Sequence, residues 1–227
     1  MNIETTPRTT IAVSGFSSDV GKTTLMTDLL RALPGWEAIK MTRGHYRSCG
    51  KDPHVCCVSH LLSDVPVVRS GRAQTYSAGK DTGRYWDAGA SNVHWVIVTD
   101  AQVEKGINLA LGRVRAPGVL IEGTSFLKYV AVDFSIMVVR AGSEKIKPSA
   151  KRALATIDAF YLFTDKREPD SSVTAAARNQ FAAWGQRYSD GEAINKLPLY
   201  TYYELPQLIA QIRSIHAAAS TAASVSL

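Results

Sequence analysis

Ile11-Ala-Val-Ser-Gly15-Phe-Ser-Ser-Asp-Val-Gly21-Lys-Thr-Thr24 is the stretch that decides the fold of this chain of 227 residues. Its apolar start predicts a buried strand, and the leucine-rich stripe between Leu25 and Leu33 predicts a helix directly after it. The two glycines allow a tight turn that presents backbone N–H groups to an anion. A strand, a glycine-rich loop ending in Gly-Lys-Thr and a helix are typical of a phosphate-binding loop, or P-loop.

The residue types in this loop fit a nucleoside triphosphate bound with Mg²⁺. We expect Lys22 to reach the β- and γ-phosphates, and the Thr23 hydroxyl to ligate Mg²⁺. The dipole of the following helix adds to the attraction for phosphate. The predicted nucleotide-binding residues are Gly15, Ser17, Ser18, Asp19, Val20, Gly21, Lys22, Thr23 and Thr24.

The loop departs from the usual pattern, because five residues rather than four separate Gly15 from Gly21. This longer form, with Asp-Val before Gly-Lys-Thr, resembles the loop of dethiobiotin synthetase. It is also similar to the loops of a wider P-loop class that includes several metallocentre-assembly GTPases. The resemblance implies that Lys40, which ends the second predicted strand, is a second phosphate ligand. An ordinary lysine at a strand end is the alternative.

A second stretch carries a further resemblance. Gly79-Lys-Asp-Thr-Gly-Arg84-Tyr-Trp-Asp-Ala-Gly-Ala90, together with Ile39-Lys-Met-Thr42, resembles molybdopterin-guanine dinucleotide biosynthesis protein B. The similarity covers roughly residues 10–125; Met41 replaces a family histidine, and 43–78 is longer and different. It implies a homodimer that slowly hydrolyses GTP or ATP with Mg²⁺ while assisting assembly of a cofactor or metallocentre. Molybdenum cofactor guanylation is the narrowest form of that role.

A charged cluster lies at the predicted start of a helix in the second stretch. Asp81 or Thr82 can cap that helix, and Lys80 and Arg84 can face phosphate. A capped, solvated helix end without a ligand is the alternative. The catalytic candidates are Lys22, Lys40 and Asp81.

Gly118-Val-Leu-Ile-Glu122 predicts a buried strand that ends in a carboxylate. Ligands of parallel α/β sheets bind beyond the carboxyl ends of the strands, and a carboxylate there can hold Mg²⁺ directly or through water. We therefore predict that Glu122 and Thr23 hold Mg²⁺. Asp100, after the predicted strand 93–99, is the rival ligand, unless it only caps the next helix.

All three cysteines and three of the five histidines fall within residues 45–60. Thiolate and imidazole suit Zn²⁺ or an Fe–S cluster. The spacing does not match a standard zinc finger, and adjacent cysteines fit one tetrahedral site poorly, so structural or chance thiols are the alternative. The candidate ligands of a thiophilic metal are Cys49, Cys56, Cys57 and His60.

Composition narrows the compartment and the partners. The net charge is +6, yet Lys and Arg are scattered, which favours a phosphorylated ligand over nucleic acid. The chain has no run of eighteen apolar residues, no apolar export signal at its start and an odd number of cysteines. We therefore expect a cytoplasmic protein with no membrane partner.

Apolar runs alternate with helical patterns, which predicts a three-layer α/β/α fold of the P-loop NTPase type with a mainly parallel sheet. The predicted strands are 10–14, 37–41, 93–99, 118–121, 133–139 and 159–163, with 197–200 as a short last strand. Helices are predicted after the P-loop, from about Ser149, over 174–184 and over 205–212. The predicted domain is 10–216, between a disordered 1–9 and a flexible tail 217–227, with 43–80 as an insertion or lid.

Three functions remain open at this point. The first is an Mg²⁺-dependent NTPase that works with a cofactor-biosynthesis or metalloenzyme partner protein. The second is an ATP-dependent small-molecule kinase or ligase of dethiobiotin synthetase type, with 43–80 as its substrate lid. The third is a nucleotide-gated metal carrier that uses the Cys/His segment. Asp165 and Asp170 are placed to bond a guanine edge, but they leave ATP and GTP as alternatives.

Overall fold

The structure is a computed structural model that describes residues 8–46, 58–143, 145–164, 171–186 and 191–225. Its strands are β1 (Thr9–Gly15), β2 (Glu37–Arg43), β3 (Val67–Ser70), β4 (Val93–Val98), β5 (Gly118–Glu122), β6 (Phe134–Arg140), β7 (Ala159–Phe163) and β8 (Leu199–Tyr200). Its helices are α1 (Lys22–Ala32), α2 (Arg72–Thr75), α3 (Asp81–Asp87), α4 (Val103–Leu111), α5 (Pro148–Ala153), α6 (Ser171–Gly185), α7 (Gly191–Lys196) and α8 (Leu205–Val225).

The strands form one sheet in the order β3-β4-β2-β5-β1-β6-β7-β8. Every neighbouring pair is parallel except β3 and β4, which are antiparallel at one edge. β1 lies between β5 and β6 and is buried along its whole length, as expected of a strand covered on both faces. The predicted α/β class with a mainly parallel sheet is therefore confirmed.

Helices cover both faces of the sheet and give it three layers. Successive side chains of a strand point to opposite faces. Ile11 and Val13 accordingly pack in a cluster with residues of α1, α3 and α8. Ala12 belongs to a second cluster that contains residues of α4, α5 and α6. The two clusters fix β1 from both sides, so the loop that follows it starts from a rigid base.

The start of α1 is fixed by a close approach that only glycine allows. Gly21 has a φ of +95°, in the left-handed region that favours glycine. A Cβ atom there would lie 2.3 Å from the ring of Phe163, at the end of β7. The predicted apolar stripe is buried: Leu25, Met26, Leu29 and Leu30 lie within the helix, and Leu33 is its C-cap residue.

Four elements lie outside the ranges predicted for strands and helices: β3, α2, α4 and α7. β3 is a half-buried edge strand of four residues that includes Arg69, too short and too polar for a clear alternation. α4 follows β4, and its residue Ile107 is buried in the core against the sheet. β3 and α2 lie within residues 43–80. Because β3 is an edge strand of the main sheet, an insertion or lid stays a prediction only for the other residues of that segment.

The two ends also differ from the prediction. β1 begins at Thr9, one residue earlier than expected. At the other end α8 is 21 residues long and continues to Val225, where a flexible tail from Ala217 was predicted. The alanines of that stretch are strong helix formers, which accounts for the continuation. In the described part of the chain, no helix is both long enough and apolar enough to cross a membrane.

Candidate functional site

A cavity of about 590 Å³ lies at the carboxyl ends of β1, β2 and β5, where ligands of parallel α/β sheets bind. We call it the phosphate cavity. The predicted loop residues that line it are Gly15, Ser17, Ser18, Asp19, Gly21, Lys22, Thr23 and Thr24. Val20 was predicted with them, but its side chain is buried in the core. The remaining lining residues are Lys40, Met41, Thr42, Arg43, Asp81, Arg84, Glu122, Gly123, Thr124, Ser125, Lys147, Ser149 and Phe163.

The tip of the loop is held by two basic side chains, one at the end of β6 and one directly before α5. The Lys147 ammonium donates to the Ser18 hydroxyl at 2.8 Å. The Arg140 guanidinium, at the end of β6, donates to the carbonyl oxygen of Asp19, also at 2.8 Å. Asp19 has a φ of +58°, the only positive value at a non-glycine residue in the described ranges. These contacts hold the tip of the loop through one hydroxyl oxygen and one backbone oxygen.

Lys22 lies inside the loop and faces the cavity. Its ammonium donates to the carbonyl oxygen of Ser17 at 2.9 Å. Burial lowers the pKa of Lys22; Glu122 partly opposes that effect, and nearby Lys40 adds to it. A further anion in the cavity would raise this pKa, since negative charge favours the charged form of an ammonium. An anion bound in the cavity would therefore stabilise the charged form of Lys22.

A lysine and two carboxylates meet beneath the loop. The ammonium nitrogen of Lys40 lies 2.5 Å from a carboxylate oxygen of Asp81 and 2.6 Å from one of Glu122. The contact between Lys40 and Glu122 follows from the sheet topology, because the two residues are direct partners in the β2–β5 register. Asp81 comes from the first turn of α3. With Thr23 and Tyr85, which bond to the same carboxylates, these residues form what we call the carboxyl-end cluster.

The charges of this cluster stabilise one another. Burial alone would lower the pKa of Lys40, but attraction to Glu122 and Asp81 outweighs it and raises that pKa. Burial would likewise raise the pKa of Asp81, yet the charge and hydrogen bond of Lys40 lower it. Lys40 and Asp81 are therefore both charged at neutral pH.

Oxygen ligands for a cation converge on Thr23. Its hydroxyl lies 3.0 Å from a carboxylate oxygen of Asp81 and 3.1 Å from one of Glu122. The structure thus brings together the two residues predicted for Mg²⁺, and Asp81 joins them. In the described residues, no three His, Cys, Asp or Glu side chains form a group that could hold a metal ion. A cation here would rely on two carboxylates and a hydroxyl, which are the hard donors that Mg²⁺ prefers.

The predicted side-chain cap of α3 is wrong, and the structure separates the alternatives for Lys80, Arg84 and Asp100. Lys80 occupies the N-cap position of α3, and no side chain caps that helix, because Asp81 binds Lys40 and Thr23 instead. Arg84 lines the phosphate cavity, as predicted, whereas Lys80 does not. Asp100, the rival of Glu122, is exposed and pairs with Arg43 at 3.1 Å, away from the loop.

Tyr85 belongs to the site but was not singled out from the sequence. It is fully buried, and its hydroxyl donates to Glu122. Burial and the charge of Glu122 raise its pKa well above the usual value, so it remains a proton donor. A signal existed, since Asp81 and Tyr85 are four residues apart and therefore share one face of α3.

The predicted thiophilic metal site lies almost wholly outside the described residues. Cys49, Cys56 and Cys57 belong to the segment 47–57, which the structure does not describe. His60 is exposed in a short 3₁₀ turn, Ser59–Leu61. Asp165 and Asp170, considered for base recognition, also lie outside the described ranges. The Zn²⁺ or Fe–S site and the choice of base stay predictions from the sequence.

Comparisons with known proteins give limited similarity. No family model matches the sequence, and no curated protein matches it. LpxK from Aquifex aeolicus, solved in complex with ATP, is 18% identical to this chain. The match covers 69% of this chain and 48% of LpxK, with a TM-score of 0.44. A Zn(II)-bound triple mutant of the YjiA GTPase is 14% identical. That match covers 86% of this chain and 57% of the GTPase, with a TM-score of 0.42.

This chain spans about half the length of these solved structures. At such low identities and TM-scores, the fold assignment rests on the features of the chain itself. Those features are the strand order around a buried β1, the glycine-rich loop at its carboxyl end and the α1 helix that starts at Lys22. The chain is an α/β protein with the fold of the P-loop NTPases.

Proposed function

We propose that this chain is an Mg²⁺-dependent nucleoside triphosphatase that holds the phosphates of ATP or GTP in the phosphate cavity. One observation carries the proposal: the P-loop and the carboxyl-end cluster line the same cavity. Lys22 and Lys40 come from separate elements, and so do Thr23 and Glu122. All four residues line one cavity beside a glycine-rich loop, which supports a single ligand that contacts all of them.

The charge of the cavity suits a triphosphate. Its basic residues are Lys22, Lys40, Arg43, Arg84 and Lys147, and its acidic residues are Asp19, Asp81 and Glu122. Bases thus outnumber acids by five to three in the lining. The backbone turn at Gly21 and the start of α1 add N–H groups that attract anions without adding side-chain charge.

Three side chains of the cluster would hold Mg²⁺. They are Thr23, Asp81 and Glu122, and the Thr23 hydroxyl lies within hydrogen-bond distance of both carboxylates. Mg²⁺ bound there would neutralise charge on the β- and γ-phosphate oxygens. Lys40 pairs with both carboxylates, so it would lie beside the same phosphates as a second positive charge.

The cluster favours electrostatic catalysis over proton abstraction. One oxygen of Glu122 accepts from Lys40, and the other accepts from Thr23 and Tyr85. A carboxylate with both oxygens engaged is a poor general base for water. Hydrolysis would therefore depend on fixed charges around the γ-phosphate while water attacks it, and we expect slow turnover.

The proposed biological role rests on resemblance rather than geometry. The stretches 39–42 and 79–90 resemble molybdopterin-guanine dinucleotide biosynthesis protein B, which supports a role in assembling a cofactor or metallocentre. A homodimer and a partner protein belong to the same proposal, as does a cytoplasmic location. The kinase or ligase alternative requires a second substrate site beside the terminal phosphate.

Release of phosphate from Mg·ATP and Mg·GTP tests the proposed function. Wild type should release phosphate from at least one nucleotide, and chelation of Mg²⁺ should abolish release. Asp81→Asn should lower turnover by about tenfold or more, because it removes charge from both Lys40 and the Mg²⁺ ligands. Asp64→Asn, at an exposed site outside the cavity, should match wild type. Wild type without turnover, or an Asp81→Asn variant equal to it, would contradict the proposal.

A further inference from the structure

Two further cavities adjoin the phosphate cavity on different sides. One, of about 460 Å³, shares Thr24, Arg84 and Phe163 with it. The other, of about 230 Å³, shares Arg43, Thr124, Ser125 and Ser149 with it. These two cavities have no lining residue in common. The phosphate cavity therefore lies between them, as the middle of a row of three.

The two flanking cavities differ in chemistry, which gives the row a direction. Phe163 lines the larger one, and its ring also packs against Gly21 of the loop. An aromatic face suits a nucleobase, because bases stack on such rings. With a nucleoside beside Phe163, the terminal phosphate would point along the row toward the smaller cavity. We call this smaller cavity the Arg152 pocket.

The Arg152 pocket has more positive than negative charge. Arg43, Lys128 and Arg152 line it together with one acid, Asp100. Asp100 pairs with Arg43, at 3.1 Å. Lys128 lies over the ring of Tyr129. Arg152 forms no ion pair or hydrogen bond with any described residue, so two cations of the pocket have no acidic partner.

The rest of the lining suits a small polar molecule. Four hydroxyl groups contribute hydrogen-bond donors and acceptors; they belong to Thr124, Ser125, Ser149 and Thr156. Val103, Leu127 and Ala153 supply an apolar side, as a short carbon chain would require. A volume of about 230 Å³ is below that of most drug-sized sites, which excludes a bulky ligand.

We propose that the Arg152 pocket binds a small anionic molecule, through a carboxylate or phosphate group, beside the terminal phosphate of the nucleotide. The proposal rests on the proposed function, since it places the second ligand relative to bound nucleotide. Arg43 is part of both cavities and so lies between the two anions, where its charge lowers their repulsion. The pocket thereby provides the second substrate site that a kinase or ligase needs.

Titration of inorganic phosphate tests this site. The protein is first saturated with Mg²⁺ and a non-hydrolysable analogue of the nucleotide that it binds, so that the P-loop is occupied. Phosphate should then still bind to wild type, and Arg152→Gln should weaken that binding by about tenfold or more. Lys151→Gln is the matched control, because it removes the same charge from the adjacent position of α5 but does not line the pocket.

Two results would overturn the proposal: no phosphate binding to the nucleotide-loaded protein, or equal weakening in Arg152→Gln and Lys151→Gln. If no nucleotide binds at all, the proposed function fails separately. Phosphate is then titrated into Lys22→Ala, in which the P-loop lacks its lysine. Binding that depends on Arg152 but not on Lys151 would support the pocket there too, and binding that depends on neither would overturn it.

Discussion

Two charged clusters lie at opposite ends of β2, and of the two only the carboxyl-end cluster lines one of the cavities described above. The carboxyl-end cluster includes Lys40 of β2. At the other end, Glu37 accepts a hydrogen bond from the ring of His94, 2.6 Å away, and His94 bonds in turn with Ser70 at 2.8 Å. We call Glu37, His94 and Ser70 the amino-end cluster. Both contain buried ionisable groups, so burial of charge does not by itself mark a functional site.

The amino-end cluster is closed to ligands. The side chains of His94 and Glu37 are 1% and 5% exposed, and neither residue lines any of the cavities described above. The second oxygen of Glu37 accepts from the backbone N–H groups of Arg115 and Ala116, at 2.9 Å each. Every bond is made within the protein, and the cluster ties β2, β3 and β4 to the loop before β5.

The carboxyl-end cluster remains accessible. Lys40 is 17% exposed and Asp81 is 40% exposed, and both line the phosphate cavity. Its carboxylates hold a lysine and a threonine that the sequence assigns to phosphate and Mg²⁺. The comparison teaches that access and an adjoining anion-binding loop separate a candidate site from a structural tie. We therefore expect mutations in the two clusters to have different effects.

The largest effect is expected on stability, from Glu37→Ala. The change leaves buried His94 and two backbone N–H groups without their acceptor, and breaking such a buried network costs about 3–5 kcal/mol. The unfolding free energy, measured in urea, should fall by that amount, while the folded variant still binds nucleotide. Glu104→Ala, on the exposed face of α4, should stay within about 0.5 kcal/mol of wild type. A loss below about 1 kcal/mol for Glu37→Ala would refute the structural role.

A smaller effect, on turnover, is expected from Tyr85→Phe. The ring and its packing remain, but Glu122 loses one hydrogen bond, so the carboxylate is held less firmly. We expect kcat to fall about tenfold, or about 1.4 kcal/mol, with a smaller change in nucleotide affinity. Steady-state kinetics and calorimetric binding separate the two quantities. Unchanged kcat would show that Tyr85 only fills space beside Glu122.

The smallest effect is expected in the acid dependence of stability. Burial alone would raise the pKa of Glu37, but the hydrogen bonds from His94 and from two backbone N–H groups lower it below the usual value. A lowered folded-state pKa adds stability above the unfolded value of about 4.3, and that stability is lost as pH falls through the folded pKa. Glu37→Gln should therefore lose less stability than wild type on acidification below about pH 4. Parallel pH profiles of the two proteins would contradict this assignment.

Much of the fold could be predicted because its signals are local. The P-loop is one continuous stretch, and α1 shows its apolar stripe directly after it. The parallel strands are nearly continuous apolar runs, and Glu122 ends one of them just as Lys40 lies near the end of another. The carboxyl-edge rule placed Glu122 at the ligand site, and the resemblance to dethiobiotin synthetase placed Lys40 there; the structure pairs the two residues.

The remaining parts depend on contacts between distant segments. The contact of Phe163 with Gly21 depends on the strand order β1-β6-β7. No local sequence pattern encodes that order. Asp81 was predicted as a catalytic candidate and, with Thr82 as the alternative, as a helix cap. Its ion pair with Lys40 depends on the position of α3, which the sequence does not give. His94 and Glu37 gave no signal either, because each reads as a polar residue at a strand end.

Calorimetric titration of Mg·ATP and Mg·GTP into wild type and Lys22→Ala tests the central claim most directly. Lys151→Ala serves as the control, because it removes a lysine that does not line the phosphate cavity. The account predicts roughly micromolar binding of at least one nucleotide to wild type and to the control. Lys22→Ala should bind at least tenfold more weakly, a loss of about 1.4 kcal/mol. Failure of wild type to bind either nucleotide, or equal binding by Lys22→Ala, would contradict the assignment of the P-loop.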